Sequence, residues 1–77
     1  MIKLYQFETC PFCIRVRNKL EELGLEYEKI EVPRVRSKRT KVQELSGQIQ
    51  VPVIEDEDGT VVNDSAKIIN YLEEQYN

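Results

Sequence analysis

The sequence contains no histidine, and this absence restricts the chemistry that the chain can carry out. Without an imidazole, neither a Ser-His nor a Cys-His catalytic pair can form, and a metal site would lack its commonest nitrogen ligand. Long apolar runs are absent too, since none approaches the roughly 18 residues of a membrane-spanning helix. Residues 1–10 also lack the basic and apolar regions of a signal peptide. We therefore expect a soluble, cytoplasmic protein that does not enter a membrane.

Length and net charge indicate the number of domains and the kind of partner. The 77 residues suffice for one compact domain, residues 1–77, and 40% of them are hydrophobic, which is enough to form a core. Fourteen acidic residues against eleven basic ones give a net charge of −3. An acidic protein is poorly suited to nucleic acid, because binding to phosphates depends on positive charge. We expect a single-domain monomer with no nucleic-acid partner.

Cysteine is scarce, and both copies lie in one motif, Cys10-Pro11-Phe12-Cys13. In a cytosolic protein this spacing favours redox chemistry, since a structural disulfide would close too small a loop to add much stability. Two alternatives stay open. The cysteines could be small apolar residues at a helix start, or half of a zinc site shared by two protomers, because tetrahedral zinc needs four such ligands.

Hydrophobic periodicity predicts seven elements in the order βαβαββα. A strand at residues 2–7 alternates apolar and polar side chains, and Pro11 suits the first position of a helix that extends to about residue 23. A second strand at residues 25–32 completes a parallel crossover unit. The remaining elements are a short basic helix capped by Ser37 and ending near Gly47, a hairpin at residues 51–62 that turns at Asp58-Gly59, and a last helix capped by Asp64 or Asn63.

The apolar stripe of the first helix predicts different roles for the two cysteines. Cys13 is in register with Val16 and Leu20, so its side chain points inward, whereas Cys10 is the N-cap at the open end of the helix. There the free N–H groups of Phe12 and Cys13 can donate to the Cys10 sulfur and stabilise a thiolate. Residues three apart on a helix lie roughly 5–6 Å from each other, a distance that a disulfide can span. Cys10 is therefore predicted to attack and Cys13 to resolve.

Three motifs along the chain resemble those of glutaredoxins. Cys-Pro-Phe-Cys follows the first strand, Val51-Pro52 precedes the hairpin, and Asp64-Ser65 opens the last helix. Residues 62–72 also resemble the glutathione-binding end of the N-terminal domain of glutathione transferases. The resemblance covers essentially the whole chain. It implies a minimal thioredoxin-like α/β fold, with a four-stranded mixed sheet and three helices.

The resemblance also implies an activity. Glutaredoxins are glutathione-dependent thiol–disulfide oxidoreductases, so Cys10 and Cys13 would be catalytic, supported by Pro11 and Phe12. Disulfide-containing or glutathionylated proteins would be the substrates. Glutathione would be the cosubstrate, and no bound cofactor or metal is implied.

Glutathione-binding residues follow from the same resemblance. It implies a cis bond between Val51 and Pro52 opposite Cys10, with Val51 offering backbone hydrogen bonds to the cysteinyl part of glutathione. It further implies that Asp64 and Ser65 bind the γ-glutamyl end, where free helix N–H groups hold the carboxylate and the Asp64 side chain meets the ammonium. Simple N-capping by Asp64 is the competing interpretation, and the two roles are compatible.

A basic segment at residues 34–41 contains no acidic residue. Its five cations are Arg34, Arg36, Lys38, Arg39 and Lys41. Lys38 and Arg39 are predicted in the first turn of the second helix, where the helix dipole disfavours cations. The resemblance implies that a basic residue in this region holds the glycine carboxylate of glutathione, which makes Lys38 and Arg39 candidates. An ordinary solvated face is the alternative.

One position departs from the family pattern. Many glutaredoxins carry a lysine three residues before the first active cysteine, where this sequence has Phe7 followed by the anion Glu8. The helix N terminus must then do more to stabilise a Cys10 thiolate. Two other functions stay open: a redoxin reduced by thioredoxin reductase, which needs no glutathione grip, and a non-enzymatic carrier of zinc or an iron–sulfur cluster between protomers. Pro11 argues against the cluster, because family members that hold one usually lack this proline.

Overall fold

The structure is a computed structural model that describes residues 1–76. Its strands are β1 (Ile2–Gln6), β2 (Tyr27–Glu31), β3 (Val53–Glu55) and β4 (Val61–Asn63), and its helices are α1 (Pro11–Glu22), α2 (Thr40–Ser46) and α3 (Ser65–Tyr76). A short 3-10 turn at Arg36–Lys38 precedes α2. The predicted order βαβαββα is confirmed. Within residues 1–76 no helix combines the length and apolar character needed to cross a membrane.

The strands form one mixed sheet in the order β2-β1-β3-β4. β1 and β2 are parallel, in register from Ile2 opposite Tyr27 to Gln6 opposite Glu31, because α1 carries the chain back between them. β3 runs antiparallel to both β1 and β4. The predicted thioredoxin-like fold, with four strands and three helices, is thus confirmed.

Both faces of the sheet are covered, since successive residues of β1 point to opposite sides. Leu4 of β1 lies on the face that packs against α1 and α3, in a buried cluster with Val16, Leu20, Ile54, Ile68 and Leu72. Tyr5 lies on the opposite face, in a second cluster with Val32, Val42 and Val53. Burying one large aliphatic side chain stabilises a fold by roughly 1.5–3 kcal/mol, so these clusters dominate the stability of the domain.

The start of α2 differs from the prediction. Ser37 does not cap the helix but lies in the 3-10 turn, and α2 begins at Thr40 with Arg39 in the N-cap position. The reason is that the Arg39 side chain turns inward and donates to backbone carbonyls before and after α2, so it does not cap the helix. The predicted end is confirmed, because Gly47 closes α2 at φ 76°, a left-handed conformation that glycine adopts without strain.

Several other element ends shift slightly. β1 ends at Gln6 and α1 at Glu22, each about one residue early, and β2 is shorter at both ends than predicted. The hairpin is confirmed, but the N–H of Asp56 donates to the carbonyl of Thr60 at 2.8 Å, so the turn has three residues rather than two. Such a turn needs one left-handed residue, and Gly59 supplies it at φ 91°.

Asp56 ties the hairpin to α3. Its buried carboxylate accepts hydrogen bonds from the hydroxyls of Tyr71 and Tyr76, the latter at 2.6 Å, and from the N–H of Glu57 at 2.7 Å. Burial opposes the charge, but these hydrogen bonds outweigh it and hold the pKa of Asp56 below its usual value. Tyr76, at the end of α3, thus turns its hydroxyl to this carboxylate.

Candidate active site

Cys10 lies at the junction of β1 and α1. Its N–H closes the turn after β1 by donating to the carbonyl of Phe7 at 3.2 Å, and the residue then becomes the N-cap of α1, as predicted. The Cys10 Sγ accepts a hydrogen bond from the N–H of Cys13 at 3.3 Å. The second expected donor, the N–H of Phe12, makes no such bond among the described contacts, because the N-cap side chain is directed at the third helical residue.

The two thiols differ in their surroundings. Cys13 is 0% exposed, as its helical register predicted, and Cys10 is 5% exposed, which is less than an open helix end suggested. Burial, followed by the interaction of its side chain with that of Cys10, raises the pKa of the Cys13 thiol well above its usual value. Cys13 therefore keeps its proton at neutral pH. Cys10 nevertheless borders a surface groove, which we call the Cys10 groove, of about 340 Å³.

A second groove of about 270 Å³ adjoins the first, and we call it the Asp64 groove. The predicted cis bond between Val51 and Pro52 is present, and both residues line this groove together with Asp64 and Ser65. Phe12, Gln50 and Val51 line both grooves, so the two form adjacent halves of one cleft. The structure thus brings four of the predicted glutathione-binding residues to one place, next to the motif that carries Cys10.

Asp64 begins α3 in an unusual backbone conformation. It is N-cap by contact, since its Oδ1 accepts a hydrogen bond from the N–H of Ala66 at 3.1 Å and its carbonyl accepts one from Ile68 at 2.9 Å. Its φ of 72° lies in the left-handed region, which costs other residues strain and which Asp and Asn tolerate best. Strained conformations of this kind cluster at ligand-binding sites. The carboxylate at the groove is therefore held in a fixed place.

The two basic candidates are separated by the structure. Lys38 is exposed in the 3-10 turn and lines neither groove. Arg39 is 7% exposed and borders the Cys10 groove, but its guanidinium donates to the backbone carbonyls of Pro33 at 2.7 Å and of Arg34 and Ile49 at 3.1 Å. Neither residue lies in the first turn of α2, contrary to the prediction: Lys38 precedes the helix and Arg39 is its N-cap residue.

The departure at Phe7 and Glu8 has a structural counterpart. The Glu8 carboxylate contacts Lys29 at 3.0 Å and Arg17 at 3.7 Å. The hydrogen bond from Lys29 lowers the pKa of Glu8, so its charge is compensated. Phe7 carries two guanidinium groups over its ring, those of Arg34 and Arg39, 5.4 and 5.5 Å from the ring centre. Folding therefore brings two positive charges to Phe7, although the sequence has no cation at that position.

Four polar residues of the Asp64 groove were missed by the sequence analysis. They are Gln48, Gln50, Asn63 and Lys67. Gln48 orders the loop before Pro52, because its Oε1 accepts a hydrogen bond from the N–H of Gln50 at 2.6 Å. The only sequence signal for these residues is their nearness to Val-Pro and Asp-Ser, since glutamine, asparagine and lysine are ordinary surface residues.

The fold and the cysteine motif define a thioredoxin-like domain of the glutaredoxin type. The family model for the glutathione S-transferase N-terminal domain matches residues 4–77, and the chain belongs to this family. The resemblance expected from the sequence is confirmed.

Two relatives differ in how much of their own length matches this chain. Prostaglandin E synthase 2 from Mus musculus is 39% identical over 74 residues, which covers 92% of this chain but only 18% of that protein. A glutaredoxin-like 8.6 kDa protein from Clostridium pasteurianum is 32% identical over 62 residues, covering 80% of this chain and 81% of the relative. The chain therefore spans less than a fifth of the first relative and most of the second.

A solved structure shows the same fold. A glutathione transferase homologue from Drosophila mojavensis, determined with bound glutathione, is 27% identical and superimposes with a TM-score of 0.87. The match covers 97% of this chain and 35% of that one. Nearly all of this chain therefore corresponds to about a third of that homologue.

Proposed function

We propose that this chain is an enzyme, a glutathione-dependent thiol–disulfide oxidoreductase that works through Cys10 and Cys13. One observation carries the proposal: Cys10, whose sulfur accepts a hydrogen bond from the N–H of Cys13 at the start of α1, borders a cleft that continues into the Asp64 groove. A helix N terminus favours a thiolate through its free N–H groups and partial positive charge. The glutathione bound by the Drosophila mojavensis homologue supports the same ligand here.

With a glutathionylated protein, the reaction needs Cys10 alone. The Cys10 thiolate attacks the glutathione sulfur of the mixed disulfide, so that a Cys10–glutathione bond forms while the protein leaves as a thiolate and takes up a proton. The thiolate of a second glutathione then attacks the same glutathione sulfur, which yields oxidised glutathione and frees the Cys10 thiolate. The protein sulfur is reduced and glutathione is oxidised, so no further reductant is required.

With a protein disulfide, Cys13 completes the exchange. Cys10 attacks one sulfur of the disulfide and remains bonded to it, while the other sulfur leaves. Cys13 then loses its proton, and its thiolate attacks the Cys10 sulfur, so that the Cys10–Cys13 disulfide forms while the bond from Cys10 to the substrate breaks and the departing protein thiolate takes up a proton. Two glutathione molecules reduce this disulfide and leave as oxidised glutathione. The raised pKa of Cys13 suits this order, because a protonated Cys13 does not compete as the first nucleophile.

The Asp64 groove offers complementary charges for glutathione, which carries an ammonium and two carboxylates. The Asp64 carboxylate can meet the ammonium, while the N terminus of α3 and the nearby Lys67 attract the adjoining carboxylate. Val51 lines both grooves, and its backbone would pair with the cysteinyl part. The glutathione sulfur would then point toward the Cys10 groove.

Titration of the reduced protein with oxidised glutathione, followed by intact mass, tests this function. The expected products are a protein with one added glutathionyl group and a protein that has lost two hydrogens. Cys10→Ser should give neither, whereas Cys13→Ser should accumulate the glutathionyl adduct. The proposal fails if Cys10→Ser still forms the adduct and Cys13→Ser does not.

The same preparation distinguishes the rival functions. Turnover with thioredoxin reductase but not with glutathione would identify a glutathione-independent redoxin. A brown protein, or one that copurifies with zinc, would identify a carrier. Within residues 1–76 no three His, Cys, Asp or Glu residues are grouped to hold a metal, so a carrier would need ligands from elsewhere.

A further inference from the structure

The positive charge of this acidic protein is concentrated in one segment. Residues 34–41 hold five of the eleven cations and no acidic residue, while the other six cations stand against fourteen acids. Among the ion pairs of the described residues, none includes Arg34, Lys38, Arg39 or Lys41. Elsewhere cations such as Lys19 do pair with neighbouring carboxylates. The charges of these four residues are therefore not compensated by ion pairs among the described side chains.

This charge lies beside the nucleophile. Arg34 donates from Nη2 to the hydroxyl of Thr9 at 2.9 Å, and Thr9 immediately precedes Cys10. The same guanidinium lies 5.4 Å from the centre of the Phe7 ring, which borders the Cys10 groove. The contact anchors one end of the basic segment to the turn that carries Cys10, and it leaves the positive charge near the surface that a substrate must approach.

Large apolar side chains accompany the charge. Phe12, between the two cysteines, is 55% exposed, and Val35, next to Arg34, is 56% exposed. Lys38 lies next to Val35, since its N–H donates to the carbonyl of Val35 at 3.0 Å. We call the surface formed by Arg34, Val35 and Lys38 the basic rim. Exposed apolar patches rimmed by polar residues mark protein-binding surfaces, and arginine is enriched in them.

We propose that the basic rim docks an acidic segment of the protein whose disulfide reacts with Cys10, an inference that rests on the proposed function. In the proposed function the Asp64 groove binds glutathione, and none of Arg34, Val35 and Lys38 lines that groove. A polypeptide substrate extends beyond the glutathione-sized cleft and must lie against neighbouring surface. Uncompensated cations attract carboxylates there, raise the association rate and disfavour basic substrates.

Two synthetic peptides test the docking. Both carry one glutathionylated cysteine, flanked in one peptide by aspartates and in the other by lysines, and the readout is the ratio of their kcat/KM values. At low ionic strength the acidic peptide should react about tenfold better. The ratio should fall toward one at high salt, because the Debye length shrinks from about 10 Å at 0.1 M to about 3 Å at 1 M.

Charge reversal on the rim should invert this preference. In the double variant Arg34→Glu, Lys38→Glu the ratio should drop to one or below. Because the ratio compares two substrates of one variant, it does not depend on any general loss of folded or active protein. Arg15→Glu is the matched control, since Arg15 is exposed on α1 and borders neither the Cys10 groove nor the Asp64 groove. That control should keep the ratio of the unmodified chain.

The small substrate glutathione–mercaptoethanol disulfide separates the two possible failures. If the unmodified chain turns it over but treats both peptides alike, the docking inference is wrong and the proposed function stands. If the chain cannot turn over even this small disulfide, the proposed function itself is wrong. An acidic preference that survives in the double variant would also overturn the inference, because the rim would not be its source.

Discussion

Replacing Asp64 by asparagine separates its two candidate roles, helix capping and binding of the glutathione ammonium. Asparagine keeps an oxygen that can accept the 3.1 Å hydrogen bond from Ala66, and it tolerates the φ of 72°. Asn and Asp cap helices about equally well, so we expect the free energy of unfolding to change by less than about 0.5 kcal/mol. Asp64→Ala loses the cap, about 0.5–2 kcal/mol, and adds about 1–2 kcal/mol of left-handed strain.

The charge itself should appear only in glutathione binding. Asp64 is exposed, so its contact with an ammonium is screened by water and contributes about 1 kcal/mol. That loss raises the KM for glutathione about fivefold in Asp64→Asn. Urea unfolding measures the first quantity, and steady-state kinetics with varied glutathione measures the second. Asp58→Asn is the control, because Asp58 is exposed in the hairpin turn and lies outside both grooves.

Two results would refute this reasoning. An unchanged KM in Asp64→Asn would mean that the carboxylate serves the helix alone. A loss of stability in Asp64→Asn as large as in Asp64→Ala would mean that the side-chain oxygen does not cap α3.

Three further predictions concern the thiols and the buried polar contacts. Cys13→Ser should keep activity toward glutathionylated proteins and lose most activity toward protein disulfides, whereas Cys10→Ser should lose both activities. Parallel assays with the two types of substrate check this prediction. Activity retained only in Cys10→Ser would reverse the roles of the two cysteines. Asp56→Asn should lower the free energy of unfolding by about 2 kcal/mol at neutral pH, because charged hydrogen bonds are replaced by weaker ones. Folding lowers the pKa of Asp56, so its contribution to stability is complete above the unfolded value of about 3.9 and is lost as pH falls below that value. In urea melts at a series of acidic pH values, the free energy of unfolding should therefore fall less steeply with decreasing pH in Asp56→Asn than in the control Glu74→Gln. Arg39→Lys should lower the free energy of unfolding by about 2 kcal/mol in the same melts, because an ammonium cannot reach all the carbonyls that one guanidinium now binds. An unchanged free energy of unfolding would show that those hydrogen bonds contribute nothing.

The sequence by itself determined the features that depend on neighbours within a few residues. Pro11 at the first helical position makes Cys10 an N-cap, and the register of Cys13 buries its thiol, because both depend on the geometry of one helix. Gly47 and the Asp58-Gly59 turn were likewise predictable, since left-handed conformations favour glycine. Motif order then sufficed to predict the thioredoxin-like fold.

Local capping preferences did not predict the residue at which α2 begins. Ser37 is a good N-cap and Arg39 is a poor one, yet the helix begins after Arg39. The decisive contacts are the hydrogen bonds from Arg39 to carbonyls that include Ile49, ten residues away, and they exist only once the loop before Pro52 has folded against the segment. A pattern read along the chain contains no information about such a partner.

Tertiary structure likewise determined the surroundings of Cys10. Phe7 replaces an expected cation, and only folding shows that Arg34 and Arg39 come to lie over its ring from more than 25 residues away. The cleft next to Cys10 is likewise assembled from α1, the loop before β3 and the start of α3. Side chains from three separate parts of the chain meet there because the central β1 and β3 strands pair and α1 and α3 pack on the same face of the sheet, and no local propensity encodes that meeting.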